Sequence, residues 1–355
     1  MEGRNRKGAS PTIYDIAKAA GVSPVTVSRA LNNMGYVHAD TRQRIEAVMR
    51  ELQYSPNRAA RSLKSKRTGL LLLAIPDIRN PFYVDMINAV QIASNRRDYS
   101  MILFYTEGQE AGERKALHML QQNYADGLIL VDFHFSAERR RTIDQSAGPV
   151  VLCALHAADF GEQADNRFDS VCVDTRRGIR EAVTHLIGQG CARVAYVGGQ
   201  QALEVFRERF AGYCDALRDA GRFVNGDHVL WNDYTEQSGY EAGMRLLTRP
   251  ERPDAVCAAN DLLAMGVMRA AAELGLRMPE DLMVTGMDDI DAAVRATPSL
   301  CTVAIAQAQL GAEAAERVFA RLQGDLAGAG TRHVLEPRLI VRGSAIREGG
   351  GQVHA

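Results

Sequence analysis

The sequence predicts a small all-α unit at the N-terminus, followed by a larger α/β body of two lobes, each built on a doubly wound parallel sheet. Three observations predict this architecture. The chain has 355 residues, whereas one ordinary domain has roughly 150. Helical periodicity dominates as far as Leu52, but from Gly69 short apolar runs alternate with amphipathic stretches. Charge is also distributed unevenly between these two parts of the chain.

The uneven charge distinguishes the N-terminal unit from the body. Residues 1–68 hold 13 basic and 5 acidic side chains, a net charge of +8. The remaining residues hold 29 basic and 38 acidic side chains, so the whole chain has a net charge of only −1. A basic module on an acidic body predicts a polyanionic partner for the module alone. The apolar share of 46% and the charged share of 24% exclude a disordered or fibrous chain.

Three helices are predicted in the N-terminal unit. Thr12 and Asp15 have the spacing of a capping box, so the first helix begins there. A turn containing glycine ends it. Ser23 can cap a second helix from Pro24 to Leu31, because a proline in the first turn loses no hydrogen bond. Residues 41–52 place apolar side chains on one face and form a third helix that can cover the first two.

A short basic linker follows at residues 55–67. It contains little to bury, so a helix there would be only marginally stable by itself. At the other end of the chain, residues 346–355 are rich in glycine and carry no heptad repeat. We therefore expect a flexible tail that contains no coiled-coil tetramerisation segment.

Nine apolar segments of the body are predicted to be strands. Amphipathic stretches separate them, which makes them parallel βαβ units with helices on both faces of the sheet. Nine strands are many for one small sheet, and two doubly wound lobes with a cleft between them accommodate them better. The segments are GLLLLAI, SMILFY, DGLILVDF, PVVLCAL, SVCVD, ARVAYVGG, HVLW, DAVCAAN and LMVTGM.

The cysteines and the N-terminus bear on the cellular compartment. No CxxC pair and no histidine at a metal-ligand spacing occurs, so we expect buried thiols in a reducing compartment, no metal and no cofactor. No apolar stretch follows the basic N-terminus, and no run of about 18 apolar residues occurs. We therefore expect no export signal and no membrane span, and a cytoplasmic protein. The cysteines are Cys153, Cys172, Cys191, Cys214, Cys257 and Cys301.

The segment TIYDIAKAAGVSPVTVSRALN, residues 12–32, joins a helix, a glycine turn and a second helix that carries Ser, Thr and Arg. This order is typical of a helix-turn-helix that enters a DNA groove. Together with the motifs that follow, the chain resembles the lactose-repressor (LacI) family of transcriptional regulators over about residues 12–345. Those motifs are TRQRIEAVMRELQYSPNRAARSL, NPFY, RERFAGY, AANDLLAMG and GMDD.

The resemblance implies a division of the chain into four parts. These are a helix-turn-helix DNA-binding domain at 10–54, a hinge helix at 55–67, a periplasmic-binding-protein-like effector and dimerisation domain at 68–345, and the tail at 346–355. Within the effector domain, the N-lobe is expected to comprise about residues 68–169 and 300–328. The C-lobe is expected to comprise about residues 170–299 and 329–345.

The resemblance also implies which side chains of the N-terminal unit meet DNA. Pro24 and Val25 are expected to make apolar contacts with base edges, and Arg29 is expected to read a base directly, since Arg can bond guanine O6 and N7. Thr26 and Ser28 also lie at the groove in this interpretation. Phosphate contacts, which set the register, are expected from Tyr14, Ser23 and Asn32.

In the family, the linker folds into a short helix on DNA and pairs with its dimer mate in the minor groove. The segment NRAARSL matches this helix. Leu63 is then the apolar side chain expected to wedge between base pairs. Asn57, Arg58 and Ala60 are expected to contact the DNA beside it.

For the body, the resemblance implies an effector site in the interlobe cleft. An aromatic ring beside a carboxylate, an amide and a guanidinium suits a hydroxyl-rich ring. Taken singly, a carboxylate here could cap a loop, a tyrosine could be core, and an arginine could form a surface ion pair, but the set favours a ligand site. The expected residues are Asp77, Phe82, Tyr83, Arg209, Tyr234, Asn260 and Asp288.

The chain departs from the family pattern in two places. His38 stands where the family usually has Ser or Thr, which puts the cap of the third helix and one phosphate contact in doubt. After the predicted fourth strand, residues 153–156 replace an Asp-Arg pair that holds sugar hydroxyls in many relatives. The effector is therefore not expected to be a common hexose. Arg207 could contact an acidic effector or lie on the solvated surface.

The function implied is a homodimeric, nucleoid-associated regulator that binds a near-palindromic operator in double-stranded DNA. Repression of a catabolic or transport operon under a small, carbohydrate-type effector is expected; a nucleoside or a partner protein is the alternative effector. A solute-binding protein would need an export signal and would not carry the basic helix-turn-helix. An enzyme is not expected, because no catalytic constellation stands out and the Gly198-Gly199 pair suits a turn better than a nucleotide loop.

Overall fold

In the computed structural model, residues 11–32, 35–54, 67–131, 133–134, 137–154 and 168–347 are described. The chain divides into two compact units, residues 1–68 and residues 69–355. The predicted hinge helix at 55–67 lies outside the described residues except for its last residue. Most of the predicted tail lies outside them as well.

The N-terminal unit contains helices α1 (Ile13–Ala20), α2 (Pro24–Asn32) and α3 (Ala39–Glu51). The predicted capping box is confirmed. The backbone N–H of Thr12 donates to the Asp15 carboxylate over 2.8 Å, and the N–H of Asp15 donates to the Thr12 hydroxyl over 3.4 Å. Gly21 ends α1 with a φ of 63°, a left-handed conformation that favours glycine.

The next two helices also begin where their sequences allow. Ser23 caps α2, because its hydroxyl accepts from the N–H of Thr26 over 3.1 Å. At the start of α3, His38 makes no side-chain cap hydrogen bond, as its departure from the family pattern leads one to expect. One core joins the three helices, and its buried residues are Ile16, Ala17, Ala20, Val27, Ala30 and Ile45.

The first sheet of the body has six strands in the order β11-β5-β4-β3-β1-β2, all parallel to their neighbours. Together with its helices it forms the N-lobe. The strands are β1 (Leu70–Ile75), β2 (Ser100–Tyr105), β3 (Gly127–Val131), β4 (Val150–Ala154), β5 (Asp169–Val173) and β11 (Arg332–Leu335). The helices are α4 (Phe82–Asn95), α5 (Glu110–Gln121), α6 (Ala137–Asp144) and α12 (Gln307–Gln323).

The second sheet has the order β12-β10-β9-β8-β6-β7, and only β12 runs antiparallel to its neighbour. It forms the C-lobe. The strands are β6 (Val194–Gly198), β7 (Val229–Trp231), β8 (Ala255–Ala258), β9 (Met283–Asp288), β10 (Cys301–Ala304) and β12 (Arg338–Ile340). The helices are α7 (Thr175–Gly188), α8 (Glu204–Asp219), α9 (Glu236–Leu247), α10 (Asp261–Glu273) and α11 (Asp291–Arg295).

Helices on both faces explain why the strands are apolar without alternation. In β1, Leu71 and Leu73 pack in the core cluster that contains α4 and α12, whereas Leu72 and Ala74 pack in the cluster that contains α5. Every side chain of the strand after Leu70 is buried. A strand covered on both faces has no solvent side on which polar residues would be favoured.

The structure corrects both the predicted number of strands and the predicted lobe boundaries. The nine predicted segments omit β10, β11 and β12, which are only three or four residues long. The expected boundaries also place three strands in the wrong lobe: β5 pairs with β4 in the N-lobe, β10 pairs with β9 in the C-lobe, and β11 pairs with β5 in the N-lobe. Pairing depends on contacts distant in sequence, which local patterns do not report.

The chain therefore passes between the two sheets three times. The crossovers lie at Asp174, between β5 and α7, at residues 305–306, between β10 and α12, and at residues 336–337, between β11 and β12. Among the residues described, no helix has both the length and the apolar character needed to cross a membrane.

Candidate functional site

The α2 helix presents a mixed surface opposite its buried face. Val27 and Ala30 point into the core, which leaves Val25 and Arg29, one helical turn apart, exposed on the outer side. Pro24, Thr26 and Ser28 are half-buried beside them. These are five of the side chains for which the sequence predicted groove contacts.

The remaining predicted DNA contacts are distributed around α2. Tyr14 and Ser23 are exposed, and the Ser23 hydroxyl lies 2.9 Å from that of Thr26. The side chain of Asn32 and the hinge residues Asn57, Arg58, Ala60 and Leu63 lie outside the described residues.

One nearby arginine has a structural contact that distinguishes it from Arg29. The guanidinium of Arg42, on α3, donates to the carbonyl of Ala30 over 3.2 Å. This bond ties α3 to the C-terminal end of α2, where a cation also complements the helix dipole. Arg42 is half-buried, whereas Arg29 is exposed on the outer side of α2.

A pocket lies between the two lobes of the body, among the loops at the carboxyl ends of the strands. This edge is the usual ligand site of open parallel sheets. The pocket holds about 340 Å³ of space not filled by protein atoms, part of it open to solvent. Its lining residues are Asn80, Phe82, Tyr83, Phe133, Val205, Phe206, Arg209, Tyr234, Asn260 and Asp288.

Aromatic rings from both lobes supply the apolar part of this pocket. In the N-lobe, Phe82 and Tyr83 at the start of α4 meet edge to face, with ring centroids 4.9 Å apart. In the C-lobe, Phe206 and Tyr234 are nearly parallel, with an interplanar angle of 24° and centroids 5.8 Å apart. Such rings can stack against the apolar face of a ring-shaped ligand.

A buried charge pair supplies the polar part of the pocket. The guanidinium of Arg209 donates to the carbonyl of Ala259 over 2.6 Å, and its Nη2 lies 3.9 Å from the nearer carboxylate oxygen of Asp288. The Arg209 side chain is only 4% exposed, and its buried Nε has no hydrogen-bond partner among the described residues. A buried donor without a partner is costly, so a ligand acceptor at this position would be stabilised.

Burial sets the protonation of the pocket's acidic groups. It raises the pKa of Asp288 well above its usual value, an effect that Arg209 opposes and Asp261 increases. Burial also raises the pKa of Tyr83, and the neighbouring Tyr234 adds to this. Both groups therefore hold their protons more readily than they would in water, and a protonated carboxyl or phenol can donate a hydrogen bond to a ligand.

Asn260 lines the pocket, but its amide also has a structural role. Its oxygen accepts from the N–H of Leu263 over 2.9 Å and so caps α10, and its nitrogen donates to the carbonyl of Tyr234 over 3.4 Å. One side chain thus holds both the start of α10 and the segment that carries the Tyr234 ring.

Asp77 and Arg207 are not among the residues that line the pocket. Asp77 forms a two-fold hydrogen-bonded pair with Arg79, in which both nitrogen–oxygen distances are 3.0 Å. This bonding lowers the pKa of Asp77. Arg207 is exposed on α8 and pairs with Glu204, in agreement with the surface interpretation.

Four lining residues were not predicted from the sequence. Asn80 belongs to the NPFY motif, and its side-chain oxygen accepts from the N–H of Phe82 over 3.0 Å. Val205 and Phe206 precede Arg209 on α8 by four and three residues, a spacing that places them on the same helix face. Phe133 follows the carboxyl end of β3, and its position there was the available signal. Residues 155–167, which include His156, lie outside the described part of the chain.

Comparison with known proteins agrees with both units. Residues 12–57 match the bacterial regulatory proteins of the lacI family, and residues 183–345 match a periplasmic binding protein-like domain. The HTH-type transcriptional regulator DegA of Bacillus subtilis (strain 168) is 33% identical over 333 residues, which cover 94% of this chain and 97% of DegA.

Two solved structures extend this similarity to the fold. A lac repressor dimer bound to operator and the anti-inducer ONPF superposes with a TM-score of 0.84 at 26% identity, covering 96% of this chain and all of the repressor chain. The complex of the transcriptional regulator CelR with cellobiose has a TM-score of 0.69 at 30% identity, covering 94% of this chain and 99% of that one.

A helix-turn-helix joined to a two-lobed, binding-protein-like body defines a class of bacterial transcriptional regulators that bind DNA. The chain belongs to the LacI family of this class. Its relatives are transcriptional regulators and not enzymes, which supports the expectation that this chain is not an enzyme.

Asp261, beside the pocket, is buried at the start of α10 and gives this region a dependence on pH. Its carboxylate accepts from the Thr302 hydroxyl over 2.5 Å and from the N–H of Ile290 over 2.9 Å. Burial nevertheless dominates and raises the pKa of Asp261 from 3.8 to about 6. The folded protein thus binds a proton near pH 6 that the unfolded chain binds only near pH 4.

We predict that the free energy of unfolding of the body falls as pH rises from about 4 to about 6, with a slope of up to about 1.4 kcal/mol per pH unit from this residue. Asp261→Asn should make the slope shallower, because Asn carries no titrating proton, and the slope that remains comes from Asp288, whose pKa burial also raises. Urea titrations of the full chain, followed by fluorescence of its single tryptophan, Trp231, measure it. Asp291→Asn, at an exposed site on α11, should retain the slope. Equal slopes for Asp261→Asn and wild type would refute this assignment.

Proposed function

We propose that this protein is a transcriptional repressor that binds a near-palindromic operator as a homodimer and responds to a small, carbohydrate-type effector in the interlobe pocket. The effector-binding part of this proposal rests on the pocket, where aromatic rings from both lobes surround the buried Arg209 and Asp288. Effector binding and operator binding would be linked by a coupling free energy of order 1–3 kcal/mol.

The proposed DNA contacts rest on the exposed side of α2. Val25 and Arg29 project from the face opposite the core, and the unit that carries them has the excess of positive charge that a phosphate backbone attracts. We assign groove contacts to Pro24, Val25, Thr26, Ser28 and Arg29, and phosphate contacts to Tyr14 and Ser23. Because its target would be chromosomal DNA, we place the protein at the nucleoid in the cytoplasm. A fluorescent fusion that avoids the stained nucleoid would contradict that location.

Replacing Arg29 with Ala should cost about 1–3 kcal/mol of operator binding and relax the preference at one base position. The reason is that Arg29 is the exposed side chain of α2 able to form two hydrogen bonds with a guanine. Selection from a random duplex library first identifies the preferred site, and titrations of its single-base variants then compare the two proteins.

The control for this experiment is Arg44→Ala, which removes the same charge from an exposed position on α3. It should weaken all duplexes similarly, because a backbone charge contact carries no base information. An unchanged base preference in Arg29→Ala would remove Arg29 from the recognition surface.

The effector class is supported by the chemistry of the pocket and by one relative. Nearly parallel rings and a two-pronged guanidinium beside a carboxyl suit a ring with several hydroxyls, and CelR, at 30% identity, is a cellobiose complex. The pair of parallel rings also suits a nucleobase, so nucleosides belong in the same test.

We expect one compound in a panel of sugars, sugar acids, sugar phosphates, polyols and nucleosides to raise the Tm of the full chain. A ligand at 100 times its Kd adds about 2.7 kcal/mol, which corresponds to several degrees. Arg209→Ala should abolish the shift, because it removes the buried donors. Arg207→Ala, two residues away on the surface of α8, should retain it. A shift that survives Arg209→Ala would place the ligand elsewhere, and no shift with any compound would favour a partner protein as effector.

The homodimer is supported by an apolar face on the N-lobe. It comprises Ile78, Val84, Ile92, Leu103 and Tyr105, which are all more than one-third exposed. Val84 and Ile92 lie on α4, while Leu103 and Tyr105 lie on the edge strand β2. Met101, two residues before Leu103 and therefore on the same side of the sheet, packs in the core cluster of α4. Exposed apolar side chains gathered beside an open sheet edge are unfavourable in water unless they are covered.

Val84→Asp should convert the dimer into monomers, because it places a charge in the covered apolar face at a large desolvation cost. Sedimentation velocity of the full chain measures this change. Val294→Asp is the matched control, since Val294 lies on α11 in the C-lobe and is 55% exposed, against 59% for Val84. A dimer that survives Val84→Asp, or that dissociates equally with Val294→Asp, would rule out this face.

A further inference from the structure

Two consecutive residues at the pocket have a left-handed backbone although neither is glycine. Asp288, the last residue of β9, has a φ of 124°, and Asp289 has a φ of 57°. Such conformations cost of order 1–3 kcal/mol each, and they persist only where surrounding contacts hold them. We call these two residues the 288–289 turn.

Two of the contacts that hold this turn come from the C-lobe. Asp261 accepts from the N–H of Ile290, the residue directly after the turn, over 2.9 Å. The Asp289 carboxylate lies 2.7 Å from the guanidinium of Arg342, near the end of the described chain. These contacts fix the turn relative to its own sheet and relative to α10.

The third contact comes from the other lobe. The side-chain amide of Gln307 donates to the backbone carbonyl of Asp288. Gln307 is buried and is the first residue of α12, directly after the crossover from β10. The crossover residue Ala306 is itself left-handed, with a φ of 55°. A hydrogen bond therefore joins two strained backbone segments where the chain passes from the C-lobe to the N-lobe.

Helix α12 packs closely against α4 of the N-lobe, so a displacement of α12 would be transmitted to α4. One turn after Gln307, Gly311 lies so near α4 that an added Cβ would stand 2.7 Å from the carbonyl oxygen of Met86. Helix α4 carries Phe82 and Tyr83 of the pocket, as well as Val84 of the apolar face. Closely packed interiors are hard to compress and transmit strain from one helix to the next.

We propose that Gln307 is a positioning residue that couples Asp288 in the pocket to α12 and, through α12, fixes the angle between the lobes. In our proposed function Asp288 contacts the ligand. A ligand that displaces Asp288 would therefore also displace α12 and α4. The effect of Gln307 on the response to ligand rests on the proposed function, whereas the coupling between the 288–289 turn and the lobe angle is independent of it.

The test measures the lobe angle in the absence of any ligand or DNA. Spin labels on Ala111→Cys in α5 and Ala272→Cys in α10, two exposed alanines on opposite lobes, report the interlobe distance by pulsed electron spin resonance. Cys214, the one native cysteine that is not buried, is replaced with Ser in all variants. Labelled chains are diluted with unlabelled chains, so that each assembly carries a single pair of labels.

Gln307→Met is the decisive variant, because methionine keeps the length and volume of glutamine but cannot donate a hydrogen bond. We expect its interlobe distance distribution to broaden and its mean to shift to longer distances. Gln309→Met is the control. Gln309 is exposed on the same helix and bonds only to Glu313 one turn further along, as far as the described residues show. Its distribution should remain that of wild type.

A distribution for Gln307→Met that matches wild type would overturn the proposal. An equal broadening in Gln309→Met would also overturn it, since helix stability would then be the cause. If Gln307→Met fails to fold, Gln307→Leu, which also lacks a donor, serves as a second variant. A broadened distribution in Gln307→Leu supports the bond, and a wild-type distribution contradicts it. Because the readout needs neither effector nor operator, a negative ligand panel leaves its outcome unaffected.

Discussion

The three crossovers between the sheets are the constraint on which the rest of the body depends. Each lobe is a sheet that is parallel except for β12, and parallel pairing requires every connection to return over a face of the sheet. The carboxyl ends of the strands therefore collect along one edge of each lobe. The chain crosses between the lobes three times, and residues from both lobes line a common pocket. Tyr83 from one lobe and Arg209 from the other reach the same space.

The polar groups of the pocket also have structural duties. Asn260 caps α10 while it holds the carbonyl of Tyr234. Arg209 binds the carbonyl of Ala259 beside Asp288. A residue that both supports the fold and lines the pocket links the pocket directly to the backbone. The 288–289 turn and Gln307 extend this arrangement to the crossover, where a small displacement changes the relation between whole lobes.

Much of the helical unit and part of the pocket could be predicted because the signals are local. The Thr12–Asp15 capping box lies within one turn, and the Ser23 cap lies within four residues of the bond that it makes. Six of the pocket residues lie in or near motifs that resemble a known family. Phe206 was not predicted, because its local sequence does not distinguish it from a core residue of an amphipathic helix. The resemblance also implies Asp77, which does not line the pocket and is hydrogen-bonded by Arg79, two residues away.

The sequence by itself determined the helical unit, the alternation of strands and helices, and the separation of charge, since each depends on residues within a few positions of one another. Only the tertiary structure decided that β5 and β11 belong to the N-lobe and β10 to the C-lobe. It also decided that Phe133 and Phe206 share a pocket and that Gln307 binds the backbone of Asp288. The physical reason is that strand pairing and interlobe contacts join residues far apart in the chain, and their energies depend on packing that no local pattern records.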